Sequence, residues 1–511
     1  MTKRHDSLLA AIAANIEANG DRPALWARGT YYSYRELAAV SAGIRDLLSE
    51  RQVPARSRIG VVTGDDLHTY ASLLAIWSLS CAYVPINSHN PVQRNGRIIE
   101  TADLSAVLSS HDESTRARCL PESASEIGIV DTRKAGKSSL RLTLPEVSSE
   151  QLAYLFFTSG STGTPKGVPI SHDNLNAFMD TCMNRMGYGF TPEDRFLQMF
   201  EMTFDLSVVS IFAPWYCGAC CCVVPDEGIA YMNIIRLLSE QEISVAVMVP
   251  SLLGYLQRFF PELDLPAMRL NLFCGEALTQ EMTKQWSRCI PNSRIENVYG
   301  PTEATIWCTS YTWEEERSAV ESVNDVVPIG RPVPGSDAVV IDADGSICDD
   351  GEKGELVLMG PQVMSGYWQN PEKTEEAFVE ISVGNERSKA YRSGDIAFVN
   401  EHGNLIYCGR MDSQVKIDGH RVELGEIEHC ARAYIGSSRA AVVLTGDPAT
   451  KPIVHLFVAG DNIDEGGLYS HLSGELPAYM RPGAITVLDD LPVNLNGKID
   501  RLALAATIGS Q

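Results

Sequence analysis

Leu152-Ala153-Tyr154-Leu155-Phe156-Phe157-Thr158-Ser159-Gly160-Ser161-Thr162-Gly163-Thr164-Pro165-Lys166-Gly167 is the most informative stretch of the chain. Its first six residues are apolar and read as a buried strand. The ten that follow are dense in glycine, serine and threonine. Gly160, Gly163 and Gly167 permit positive φ and close backbone approach, while hydroxyls, exposed N–H groups and Lys166 supply donors and a positive charge. Those are the requirements for holding a polyphosphate. The spacing is not that of a Walker A loop.

On either side of this loop, short apolar runs alternate with amphipathic stretches. Ile59–Thr63, Ala82–Ile86, Ser244–Val249 and Asn271–Cys274 read as buried strands. Leu67–Leu79, Leu175–Met183 and Ile234–Glu240 read as the helices between them. The alternation predicts an α/β fold, with parallel sheets covered by helices on both faces. From about residue 337 the texture changes to hairpins, with turn signals at Asp344-Gly345 and Gly403, which predicts a small β-barrel-like unit. Residues 413–511 change again. A helical stripe at Leu424, Ile427, Ala431, Tyr434 and Ile435, with strands Ala440–Leu444, Val454–Val458 and Ile485–Leu488, predicts a small α+β domain.

The 511 residues exceed one ordinary domain, and a formal charge of −23 (65 acidic against 42 basic residues) argues against nucleic acid or an anionic membrane as a general partner. Leu8, Leu9, Ile12, Ala13 and Ile16 share one helical face, so the N-terminal stretch reads as a surface helix rather than a targeting segment. Val208–Val224 is broken by Pro214 and Gly218 and is too short for a membrane span, which needs ~20 residues. Thirteen cysteines fall into no paired spacing. Cys220, Cys221 and Cys222 would alternate between the two faces of a strand, so they read as small buried hydrophobes, not a metal site. Reduced thiols imply a cytoplasmic protein.

The loop resembles the signature of the adenylate-forming superfamily: acyl-CoA synthetases, luciferases and the adenylation domains of nonribosomal peptide synthetases. Six further segments resemble that family's motifs, in its order. They are Tyr32–Leu37, Cys81–Ile86, Asn297–Glu303, Tyr391–Asp395, Gly409–Lys416 and Asn496–Arg501. The resemblance implies a large adenylation domain over 1–411, a mobile small domain over 412–511 and a hinge at Asp412. It implies ATP and Mg2+ as cofactors. In the reaction, a carboxylate attacks the α-phosphate to give an acyl-adenylate, and a thiol then displaces AMP.

By the same resemblance, Thr158, Ser159, Gly160, Ser161, Thr162, Gly163 and Lys166 hold phosphates. Lys498 reaches the substrate carboxylate and the α-phosphate, Thr302 bonds that phosphate, and Glu303 holds the metal. Tyr299 offers an aromatic face to adenine, and Asn297 hydrogen bonds at its edge. Gly275, Glu276, Val298, Gly300 and Tyr407 complete the nucleotide site. Asp395 accepts from the ribose hydroxyls, and Arg410 contacts ribose or phosphates. Gly419 lets the incoming thiol arm pass close to the backbone.

Phe204-Asp205-Leu206-Ser207 resembles the amino-acid-activating members, in which the aspartate pairs with the substrate ammonium. The remaining pocket positions carried over are Leu206, Val209, Val247, Leu272, Cys274, Val298, Ile306 and Trp307, together with Lys498. All but the lysine are apolar, and Trp307 removes volume, so the expectation is a small amino acid. Phe273-Cys274-Gly275-Glu276 looks most like the D-alanine:D-alanyl carrier protein ligases; alanine of either hand, glycine, serine and cysteine all remain open. The chain ends ten residues after Arg501, which suggests a stand-alone ligase that loads a phosphopantetheinylated carrier protein in trans. An acyl-CoA ligase on the same fold, and a non-catalytic nucleotide-binding relative, are the alternatives.

Overall fold

The computed structural model describes residues 7–136, 138, 141–160, 165–383, 386–411, 414–417, 419–437, 439–445, 453–460, 463–492 and 499–508. Two large sheets carry most of the chain. A nine-stranded sheet contains, in spatial order along its parallel part, Cys220–Val223, Arg195–Gln198, Val245–Met248, Leu270–Phe273 and Arg294–Tyr299. A six-stranded sheet includes Arg58–Val62, Ala82–Ile86, Ala106–Ser109 and the signature strand Leu152–Thr158.

The apolar runs identified in the sequence are these strands, to within a residue or two. Leu175–Met183 is shifted: the α-helix runs His172–Asp180, started by a reciprocal Ser171/Asn174 cap, and Thr181–Arg185 continues it as a π-turn. Helix Leu8–Ala18 buries Leu8, Leu9, Ala11 and Ile12, so Ala11 takes the place expected for Ala13. Cys220, Cys221 and Cys222 are all buried, because their strand lies inside a sheet covered on both faces. Pro214 stands inside helix Leu206–Cys217, and Gly218 ends it in the left-handed conformation.

A five-stranded antiparallel sheet follows, with Glu386–Val399 as its long central strand. The hairpin Gln414–Ile417/His420–Glu423 comes next, and then the three-stranded sheet Ala440–Thr445, Ile453–Ala459 and Ala484–Leu488. Two core clusters draw only on residues between 415 and 508, whereas the main core runs from Leu8 to Leu405 and the neighbouring strands. Asp412, the expected hinge, lies outside the described residues. No helix among the described residues is long and apolar enough to cross a membrane.

Candidate active site

Parallel strands aim their carboxyl ends at one crevice, the usual binding place in open α/β sheets. Here those ends bring together Thr158, Val249, Cys274 and Tyr299. The signature loop connects Leu152–Thr158 to Lys166–Ser171 as an antiparallel pair, with Thr158 opposite Lys166. A Walker A loop, by contrast, leads into a helix. Of the loop residues, Ser161, Thr162 and Gly163 lie outside the described residues, as does Lys498. Thr158 Oγ1 is buried with no hydrogen-bond partner among the described residues.

Two cavities meet at Tyr299. One, of about 180 Å³, is lined by Gly275, Glu276, Asn297, Val298, Tyr299, Tyr407 and Arg410, with Val327 and Ile329 closing its apolar side. Asn297 already donates its side-chain amide to the Val327 and Pro328 carbonyls, at 3.2 and 3.0 Å, so only its oxygen is left for a ligand. Asp395 is buried where Tyr299 Oη and Arg410 Nη1 donate to it, at 2.5 and 2.7 Å. The second cavity holds Asp205, Leu206, Cys274, Gly300, Thr302, Lys416 and Arg421.

Asp205 stands at the N-terminus of helix Leu206–Cys217 without a side-chain capping hydrogen bond. Burial pushes its carboxyl up to about 6, against a hydrogen bond from Thr302 and the charge of Lys416, with Glu303 adding to the upward push. Lys416 forms no ion pair with it among the described residues. A buried carboxylate in this state favours a cationic ligand. Leu206 and Cys274 share its cavity, while Val209, Val247, Leu272, Ile306 and Trp307 belong to the surrounding core cluster.

Glu303 has no exposed surface. Burial alone would raise its carboxyl, but Arg421 and Lys166 outweigh it and hold it down at about 2. Tyr367 Oη donates to Oε1 at 2.7 Å and Arg421 Nη1 to Oε2 at 2.9 Å. As an ionised, buried oxygen donor beside the phosphate loop, Glu303 suits magnesium, whose preference is for carboxylate ligands alongside phosphates. Arg421 occupies that anion in this arrangement.

The hairpin carrying Arg421 is threaded into the site at several points. Ser159 Oγ donates to the Arg421 carbonyl at 2.8 Å and accepts from Glu423 N at 3.2 Å. Lys166 Nζ lies 3.6 Å from Glu423. Gly419 N donates to Glu276 Oε1 at 2.7 Å. Sequence reasoning flagged Gly419 but not Arg421, Lys416, Tyr367 or Arg94. The signal available for Arg421 was its place two residues after that glycine; Tyr367 and Arg94 reach the site only through tertiary contacts.

The match to known proteins covers most of the chain. The family model for AMP-binding enzymes matches residues 12–368. The chain belongs to the AMP-binding enzyme family. It is 32% identical over 96% of its length to tyrocidine synthase 3 of Brevibacillus parabrevis, and it spans 7% of that much longer protein. It is 30% identical to the D-alanine–D-alanyl carrier protein ligase of Lactiplantibacillus plantarum, covering 93% of each chain. Among solved structures, the Vibrio cholerae adenylation domain AlmE, in complex with glycyl-adenosine-5′-phosphate, superposes with a TM-score of 0.85. That match covers 100% of this chain and 99% of AlmE at 27% identity. The family works with ATP and Mg2+, and the solved adenylation domain shares this chain's fold over its whole length.

Proposed function

We propose that the chain activates a small amino acid as its aminoacyl-adenylate, releasing pyrophosphate, and transfers it to the phosphopantetheine thiol of a separate carrier protein. The observation that carries this reading is Asp205: a buried carboxylate with no side-chain capping hydrogen bond and no described ion pair, in a cavity shared with Leu206, Cys274 and Lys416 that meets the nucleotide crevice at Tyr299. An acyl-CoA ligase has no ammonium to place there.

On this reading the substrate ammonium is held by Asp205, and its side chain meets Leu206 and Cys274. Adenine enters the cavity between Val327, Ile329 and Tyr299. The ribose hydroxyls donate to Asp395, which the hydrogen bonds from Tyr299 and Arg410 hold in place. Thr158, Ser159, Lys166 and Thr302 hold the phosphates, with Ser159 and Lys166 first released from their contacts to Arg421 and Glu423. Magnesium at Glu303 would supply neutralisation of phosphate charge. Lys498, brought in by the small unit 412–511 turning about Asp412, bridges the carboxylate and α-phosphate. The same unit then presents the loop at Gly419 for the thiol step. Solution in the cytoplasm, with an acyl carrier acting in trans, completes the proposal.

The test is amino-acid-dependent exchange of pyrophosphate into ATP, across a panel with both enantiomers and with fatty and aryl acids as controls. Exchange confined to small amino acids, with a mass shift on a separately purified phosphopantetheinylated carrier, supports the proposal. Exchange with fatty or aryl acids alone overturns it. Lys498→Ala should lower exchange by on the order of 10²–10³ or more.

A further inference from the structure

Thr305 and Ile306 both have left-handed backbone, at φ 52° and 79°. Both are β-branched, the residue type for which this conformation is least tolerated, and such strain persists only where the surroundings impose it. Two neighbours do so here. On one side is Gly300, where a Cβ would meet the Trp307 Cα at 2.4 Å and the Ile306 carbonyl at 2.8 Å; the strained turn therefore lies directly against bare backbone.

On the other side is Gln362, buried at 2% exposure. Its Nε2 donates to the Trp307 carbonyl at 2.8 Å and, at 3.5 Å, to the Ala304 carbonyl. Its own backbone carbonyl accepts from Thr305 Oγ1 at 2.5 Å. Its Oε1 accepts from Ser336 Oγ at 3.0 Å, which fixes the amide's orientation. One residue thus grips both ends of the strained pair and the side chain inside it. Met364 N donates to the Glu303 carbonyl at 2.8 Å, so the same segment also holds the residue just before the turn.

We infer that Gln362 is a positioning residue that sets the amino-acid pocket relative to the phosphate site. Glu303 lies immediately before the turn it grips, and Ile306 and Trp307 lie within and after it. Fixing the turn therefore fixes the distance and direction between the anion-handling carboxylate and the pocket wall. The chemistry is specific to a primary amide: two N–H donors for two carbonyls and one acceptor for a hydroxyl. Glutamate has the shape without the donors, and methionine has the volume alone. The inference rests on the proposed function, since it needs Ile306 and Trp307 to bound the acid-binding pocket.

Gln362→Met and Gln362→Glu, in the full chain, test it by pyrophosphate exchange. With the amide gone, kcat/KM for the acid should fall about 10²-fold, the scale of a misplacement near 1 Å. KM for ATP should stay within about 3-fold, and discrimination against larger acids should narrow, because the change lies in placement of the pocket rather than in nucleotide contacts. The deciding measurement is a cycle with Thr305→Gly, since glycine adopts the left-handed backbone without being held there. In that background Gln362→Met should cost less than about 5-fold. Equal losses in both backgrounds, or no loss in either, overturn the inference, and the methionine variant fills the core if alanine at this position fails to fold. If the parent protein exchanges only with acids other than amino acids, the proposed function fails, and the same cycle run with that acid still decides the role of Gln362.

Discussion

Arg421 Nη1 lies 2.9 Å from Glu303 Oε2, joining the hairpin after residue 412 to the carboxylate proposed to bind metal. Glu303 is fully buried and Arg421 mostly so, and the pair engages the carboxylate proposed for magnesium. Together with the Ser159 and Lys166 contacts, it means that the docked hairpin already engages groups proposed to hold the triphosphate.

Glu303→Gln should therefore act on two measurements. Pyrophosphate exchange should drop by on the order of 10²–10³. Hairpin docking, read by limited proteolysis, should also weaken, because removing one partner of a buried pair typically costs ~3–5 kcal/mol. The pH dependence follows from the lowered carboxyl. The pair contributes fully above the ordinary glutamate value of 4.5, and its contribution is lost as pH falls towards about 2. Acidification over that window should release the hairpin in the parent protein, with a weaker pH response in the variant.

Asp205→Asn should abolish the preference for amino acids. A neutral amide leaves the substrate ammonium without its counter-charge, so exchange should fall by about 10²-fold or more, with nucleotide binding by calorimetry unchanged. Burial places the Asp205 carboxyl at about 6, and only its ionised form pairs with an ammonium. The kcat/KM for the amino acid should accordingly rise as pH increases through about 6, and that inflection should be missing in the asparagine variant. An unchanged profile in the variant would remove Asp205 from the binding site.

Gly419 has φ +80°, and a Cβ there would meet Val249 Cγ1 at 2.6 Å. Gly419→Ala should disturb the docked hairpin at the point where Gly419 N donates to Glu276 of the nucleotide crevice. Loading of the carrier thiol, followed by mass spectrometry, should slow by at least about 10-fold, while pyrophosphate exchange stays within a few-fold. Equal slowing of both steps would contradict separate roles for the two arrangements of the small unit.

Arg94, on helix Val92–Ala102, and Glu426, on helix Leu424–Ile435, form an ion pair at 2.5 Å with 6% and 1% of their side chains exposed. Glu426→Ala leaves Arg94 buried without its counter-ion. Attachment of residues 414–508 should weaken by ~3–5 kcal/mol, seen as an earlier separate transition in denaturant unfolding followed by hydrogen exchange.

The strands were legible because their signal is local. Ala82–Ile86 is an uninterrupted apolar run, and both faces of its sheet are covered. The end of the helix at Asp180 was not, since the π-turn after it keeps the apolar periodicity running. Within the site, Asp205 and Glu303 were singled out by motif resemblance, and the structure adds what surrounds them. Arg421 and Gln362 escaped because what matters about them is a meeting with chain 118 and 55 residues away. No local pattern distinguishes a lysine-like surface arginine from one pressed against a buried glutamate. The two consecutive positive φ values at Thr305 and Ile306 were likewise invisible, since neither residue type signals a left-handed turn.

Eleven of the thirteen thiols are buried, Cys348 is half-covered, and Cys408 is exposed. Cys408 lies in strand Leu405–Arg410, two residues before the arginine that orients Asp395 and just ahead of the proposed pivot. A maleimide dye added to the native protein should therefore label this one place first. No cysteine needs to be removed to make the natural chain a fluorescent reporter of the proposed swing of its C-terminal hundred residues.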